Sequence, residues 1–82
     1  MIITLDLSFN HLEEVSEAFL AMESLQSLHL TGNSIKNITN KITLFQSLKI
    51  LKLGLNELES LPPFLFKIPK LTELTLSYNK IA

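Results

Sequence analysis

Three residues able to do chemistry recur at one spacing. Asp6, His29 and Lys52 stand 23 residues apart, each between leucines, in "LDLS", "LHLT" and "LKLG". A carboxylate beside an imidazole is the start of an acid–base pair. Ser8 and Thr31, two residues further along, carry hydroxyls that such a pair could activate. That chemistry also needs a dry pocket and donors for a developing oxyanion. The flanking leucines follow a period of two, which puts the polar residues on the open side of short strands. The row therefore reads as a polar, ion-paired recognition surface, and no enzymatic activity is expected. A metal site fares no better, because two histidines and scattered carboxylates have no ligand spacing. Gly32 and Gly54 each stand alone and form no phosphate-cradling loop. No cofactor is expected.

The elements that hold this row must fit in 82 residues, which allow one small domain. The chain is 46% hydrophobic and 18% charged, too apolar to stay unfolded. Its apolar residues are dispersed, and none of the runs approaches the roughly 18 consecutive apolar residues of a membrane span. A net charge of −1 gives no bulk attraction for a phosphate backbone, so nucleic acid is not an expected partner. There is no cysteine, which fits a reducing compartment. The opening "MIITLDL" has neither a charged leader nor a cleavage site, so it does not read as a signal peptide.

The spacing of 23 governs the whole chain. Aligned on asparagine, "ITLDLSFNHL", "QSLHLTGNSI", "KILKLGLNEL" and "TELTLSYNKI" stack with Asn10, Asn33, Asn56 and Asn79 in one column. The differences 33−10, 56−33 and 79−56 are each 23, without insertion or deletion. The apolar register repeats as L-x-x-L-x-L-x-x-N-x-L, with Ile or Val allowed for Leu. Three further columns follow the turn: Phe19, Ile42 and Leu65; Leu20, Thr43 and Phe66; Met22, Phe45 and Ile68. Such a period marks a solenoid in which each unit adds one strand to a parallel sheet. The asparagine ends each strand, where its side chain can bond the backbone that the turn leaves unpaired. An aligned row of four predicts a structural ladder. The return segments differ. "EEVSEAFLAMESL" (13–25) predicts a short helix, "NKITLFQSL" (40–48) is less regular, and the prolines of "LPPFLFKIPKL" (61–71) suit extended or 3₁₀ turns.

These four in-register copies resemble the leucine-rich repeat family, over essentially the entire chain. The resemblance implies an α/β solenoid: a right-handed curved coil, a parallel sheet on the concave face, and short helical, 3₁₀ or extended segments on the convex face. The third unit looks like the variant with L-P-x-x-L-F on its outer side, from which the first two depart. Residues 1–82 then form a single domain of four repeats, 1–24, 25–47, 48–70 and an incomplete 71–82.

The resemblance also implies a protein ligand on the concave face. Candidate contacts are Asp6, His29, Lys52, Glu73 and Thr75 on the strands, with Phe9, Leu55 and Tyr78 before the asparagines. The aromatics and leucine are contact anchors or covers for the neighbouring repeat. Four strands give a face of about 15 by 17 Å, small beside the roughly 800 Å² that a stable interface takes from each partner. Ile2, Leu5 and Leu7 at one end, and Leu74, Leu76 and Ile81 at the other, lack a polar cap. A longer array, or self-association through the end repeats, is expected to cover them. The missing cysteines and the L-P-x-x-L-F unit point to a cytoplasmic scaffold. The alternatives are a fragment of an extracellular receptor ectodomain, supported by the N-glycosylation triplet Asn37-Ile38-Thr39, and a structural piece of a large assembly.

Overall fold

Leucines at every second position make each unit's strand one-sided. Parallel neighbours then line up when the same column meets itself. The computed structural model describes residues 3–15 and 21–81. In it, β1 (Thr4–Asp6), β3 (Ser27–His29), β5 (Ile50–Lys52) and β6 (Glu73–Thr75) form a parallel sheet in the order β1-β3-β5-β6. The register follows the 23-residue period: Leu5 faces Leu28, Leu28 faces Leu51, and Leu51 faces Leu74. The chain thus folds as a solenoid, each repeat laying its strand beside the last.

The leucines of these strands supply most of the core. Leu28, Leu30, Leu51 and Leu53 are fully buried, while Leu5, Leu7, Leu74 and Leu76 in the flanking strands are half-buried against them. On the far side of this core the chain runs as two two-residue strands, β2 (Glu14–Val15) and β4 (Asn37–Ile38), paired in parallel. Val15 is buried and Ile38 packs against the same cluster. Further round, 3₁₀ turns cover Asn40–Leu44 and Pro63–Lys67. The first begins at Thr39, whose Oγ1 accepts from the Lys41 N–H at 3.3 Å. The second begins after Pro62, where a fixed φ suits the first turn of a helix.

Two expectations for this outer side are corrected. The helix predicted over 13–25 does not extend to either end of that stretch, although Ala21 is in 3₁₀ conformation. Glu14–Val15 is extended because it pairs with Asn37–Ile38, and Leu25 closes a turn by donating to the Met22 carbonyl at 3.1 Å. Residues 16–20, including Phe19 and Leu20, lie outside the described residues, as do residues 1, 2 and 82. The column of Thr43 and Phe66 is not a core column, since Phe66 is 70% exposed. Ile42 and Leu65, one residue earlier, are fully buried instead, and so are all but a few per cent of Phe45 and Ile68. A 3₁₀ turn brings every third residue back to one side, so 42 and 45, and 65 and 68, share the inward face.

Candidate functional site

The solvent side of the sheet is built from the residues between the leucines. Thr4, Ser27, Ile50 and Glu73 form one row across the strands, and Asp6, His29, Lys52 and Thr75 the next. The Asp6 Oδ2 lies 3.9 Å from the His29 Nδ1. Asp6 also accepts from the Ser8 N–H at 2.9 Å. The Ser8 hydroxyl and N–H, aided by His29 and Lys52, hold the Asp6 carboxyl below its ordinary value of 3.8. Ser8 is thereby engaged with the carboxylate. The Asp6 side chain is 61% exposed, so water reaches the pair from the open side. The geometry offers a carboxylate, an imidazole and an ammonium in line, on a surface suited to complementary polar groups.

A second feature runs along the sheet where the strands end. Phe9, Leu55 and Tyr78 all have positive φ, at 58°, 53° and 61°, and Gly32 completes the column at 74°. A left-handed backbone costs a residue with a Cβ about 1–2 kcal/mol. Bonds between repeats offset it. The Phe9 N–H donates to the Thr31 carbonyl, Gly32 to Gly54 and Leu55 to Ser77, at 2.8, 3.0 and 2.8 Å. Yet the side chains held this way point outward: Phe9 is 74% exposed, Leu55 48% and Tyr78 81%. They make an apolar rim beside the polar rows. Of the two roles open to this column, Phe9 takes part of both. Its ring lies over Gly32, with carbons 2.5 and 2.6 Å from where a Cβ would stand, and its other face meets solvent.

Sequence reasoning missed Gly32 as the seat of that ring. Its signal was a glycine in a column otherwise of large side chains. It missed Ser8 as the partner that secures the Asp6 carboxylate.

The asparagines lock the turns beneath this rim. The Asn33 Oδ1 accepts from the N–H groups of Asn10 and Leu12, and its Nδ2 donates to the carbonyls of Leu7 and Leu30. Asn56 binds Ile35 N–H and the carbonyls of Leu30, Leu53 and Gly54, and Asn79 binds Leu58 N–H and the carbonyls of Leu53 and Leu76. Each of these three bridges its own repeat to the one before. Asn10 reaches only its own turn, at Leu7 and Ser8, among the described residues.

A family model described as "Leucine Rich repeat" matches residues 21–38 and 67–82. The chain belongs to the leucine-rich repeat family. It is 39% identical over 80 residues to human "Leucine-rich repeats and immunoglobulin-like domains protein 3", covering 95% of this chain and 7% of that protein. It is 40% identical over 80 residues to rabbit lumican, covering 94% of this chain and 41% of that protein. It is 40% identical over 81 residues to Tsukushi-A of Xenopus laevis, covering 94% of this chain and 23% of that protein. The chain thus spans less than half of each of these relatives.

Within the leucine-rich repeat frame the structure carries a polar sheet face, an apolar rim and an outer side. Among the described residues, no three His, Cys, Asp or Glu side chains gather as metal ligands, and no helix is long and apolar enough to cross a membrane. Asn37 lies on the outer side, in β4.

Proposed function

We propose that this chain is a protein-binding module whose partner docks on the sheet face, with no catalysis of its own. The observation that carries the reading is the join of two unlike surfaces. The Asp6–His29–Lys52–Thr75 row, with Glu73 beside it, is polar, and the exposed Phe9, Leu55 and Tyr78 border it. Apolar anchors next to orienting charges are the usual make-up of a protein interface. Leu55 and Tyr78 are held at a backbone cost and left largely in solvent, which favours a role in contact, while Phe9 also covers Gly32.

In our reading the module works outside the cell, and the cytoplasmic reading is given up. Lumican and Tsukushi-A are secreted extracellular proteins. The human relative pairs its repeats with immunoglobulin-like domains, an architecture common at cell surfaces. The lack of cysteine does not weigh against this reading, because cysteine content marks a compartment only where a fold needs disulfides. This core closes on leucines and asparagine hydrogen bonds instead. Further repeats are proposed to stack on the edges of the sheet, at β1 and β6, where Leu5, Leu7, Leu74 and Leu76 are only half-buried. In such an array the sheet would line the concave side of a right-handed coil and enlarge the docking face.

The test is an affinity comparison with partners recovered from extracellular medium. Lys52→Glu and Tyr78→Ala are expected to weaken binding tenfold or more, about 1.4 kcal/mol each. Lys67→Glu and Phe66→Ala, in the outer 3₁₀ turn, are expected to leave it unchanged. Equal losses from both pairs would overturn the reading.

A further inference from the structure

We infer that Asn37 is an N-glycan acceptor on the outer side of the repeats. The inference rests on the extracellular reading above. It starts from a contrast among the asparagines. Asn33, Asn56 and Asn79 spend their side-chain amides on backbone partners in two repeats, and Asn10 on its own turn. Asn37 does none of this. It is exposed, and its amide has no hydrogen-bond partner among the described residues. Of the six asparagines in the chain, it alone is followed by a non-proline residue and then a hydroxyl residue, Ile38 and Thr39.

The local structure presents that triplet. β4 is extended, so Asn37 and Thr39 fall on one side of the chain and Ile38 on the other. Ile38 packs against the core, which turns the other two outward. Thr39 keeps an extended backbone, with φ −65° and ψ 139°. Its Oγ1 only accepts, from the Lys41 N–H, so the hydroxyl proton stays available. β4 pairs on one side with β2, and Asn37 in it is exposed to solvent. The donor is a lipid-diphosphate-linked oligosaccharide. The Asn37 Nδ2 bonds to the anomeric carbon, and the carbon–oxygen bond to phosphate breaks. The electron pair leaves with the lipid diphosphate, and the displaced amide proton passes to a base of the transferase. The sugar then stands on the opposite side of the core from the Asp6–His29–Lys52 row. It shields an apolar outer side that includes Leu44 and Phe66, 62% and 70% exposed, and leaves the sheet face open.

The test is mass spectrometry of the peptide carrying Asn37, from protein made in a eukaryotic host behind a secretory leader. The sample is then treated with an N-glycosidase in heavy-oxygen water. The expected result is a glycan-sized mass shift that the enzyme removes, leaving aspartate with one heavy oxygen at position 37. The shift should vanish in Asn37→Gln and Thr39→Ala and persist in Thr39→Ser, which keeps the hydroxyl. Thr39→Ser guards against loss of folding as the explanation. Secreted protein with an unmodified Asn37 would overturn the inference while leaving the extracellular reading intact. If the full-length native protein, in the cells that normally make it, stays inside and unmodified, both fall.

Discussion

The strand side and the outer side of this solenoid share one period and differ in how strictly they obey it. On the strand side every repeat offers a leucine in register, a left-handed residue and an asparagine. On the outer side one stretch is a pair of short strands and two others are 3₁₀ turns, one opened by a threonine and one by prolines. The strand side is bound by hydrogen bonds that run from repeat to repeat, so a change in one unit is felt in its neighbours. The outer side needs only to return the chain and drop one or two apolar residues, such as Ile42 or Leu65, into the core.

Mutations can break or sharpen this contrast. The largest effect is expected from Leu51→Ala, at the centre of the sheet and fully buried. It should lower unfolding free energy by about 2–5 kcal/mol in urea titration, whereas Phe66→Ala should stay within about 0.5 kcal/mol. Next comes Asn56→Ala. It leaves the Ile35 N–H without its partner in the interior and takes one of two amide donors from each of the Leu30 and Leu53 carbonyls, with an expected loss of about 1–3 kcal/mol. Asn10→Ala, which leaves only its own exposed turn unpaired, should cost less in the same titration.

A smaller effect is expected for Gly32→Ala, about 1–2 kcal/mol from a Cβ on a left-handed backbone together with displacement of the Phe9 ring. Part of that loss should disappear when Phe9 is also alanine, because the ring seated on Gly32 is then gone. A double-mutant cycle measures the coupling.

The smallest effect concerns acid. The Asp6 carboxyl is held below its ordinary value of 3.8 in the folded chain. The folded state therefore favours the ionised form. Its contribution is present above that ordinary value and lost as pH falls through the lower folded value. Asp6→Asn should flatten stability against pH only in that acid window, as read by urea midpoints.

The legibility of the sequence follows the same division. The register of Leu5, Leu28, Leu51 and Leu74 could be read because a strand shows its period in two-residue alternation and the repeat shows its own in 23. The outer side resisted because short apolar runs there fit several backbones. Glu14 and Val15 read as helix formers, yet pairing with Asn37 and Ile38 decided their conformation. Leu65 and Phe66 both stood in apolar columns, and the 3₁₀ turn decided that Leu65 goes inward and Phe66 outward. At the candidate site the rows of polar residues followed from register alone. The left-handed backbone at Phe9, Leu55 and Tyr78 did not, because none of these residue types signals positive φ. Ser8 at the Asp6 carboxylate was hidden for another reason. A turn contact two residues away depends on how the chain bends after the strand, and apolar spacing says nothing of that.

The most direct measurement of where the partner sits is photocrosslinking from single positions on the two sides. A photoreactive residue would replace Lys52 or Tyr78 on the strand side and Leu44 or Phe66 on the outer side, with the protein in extracellular medium. The account predicts one shared crosslinked partner from positions 52 and 78 and none from 44 and 66. The same partner captured from 44 and 66, with 52 and 78 silent, would contradict it.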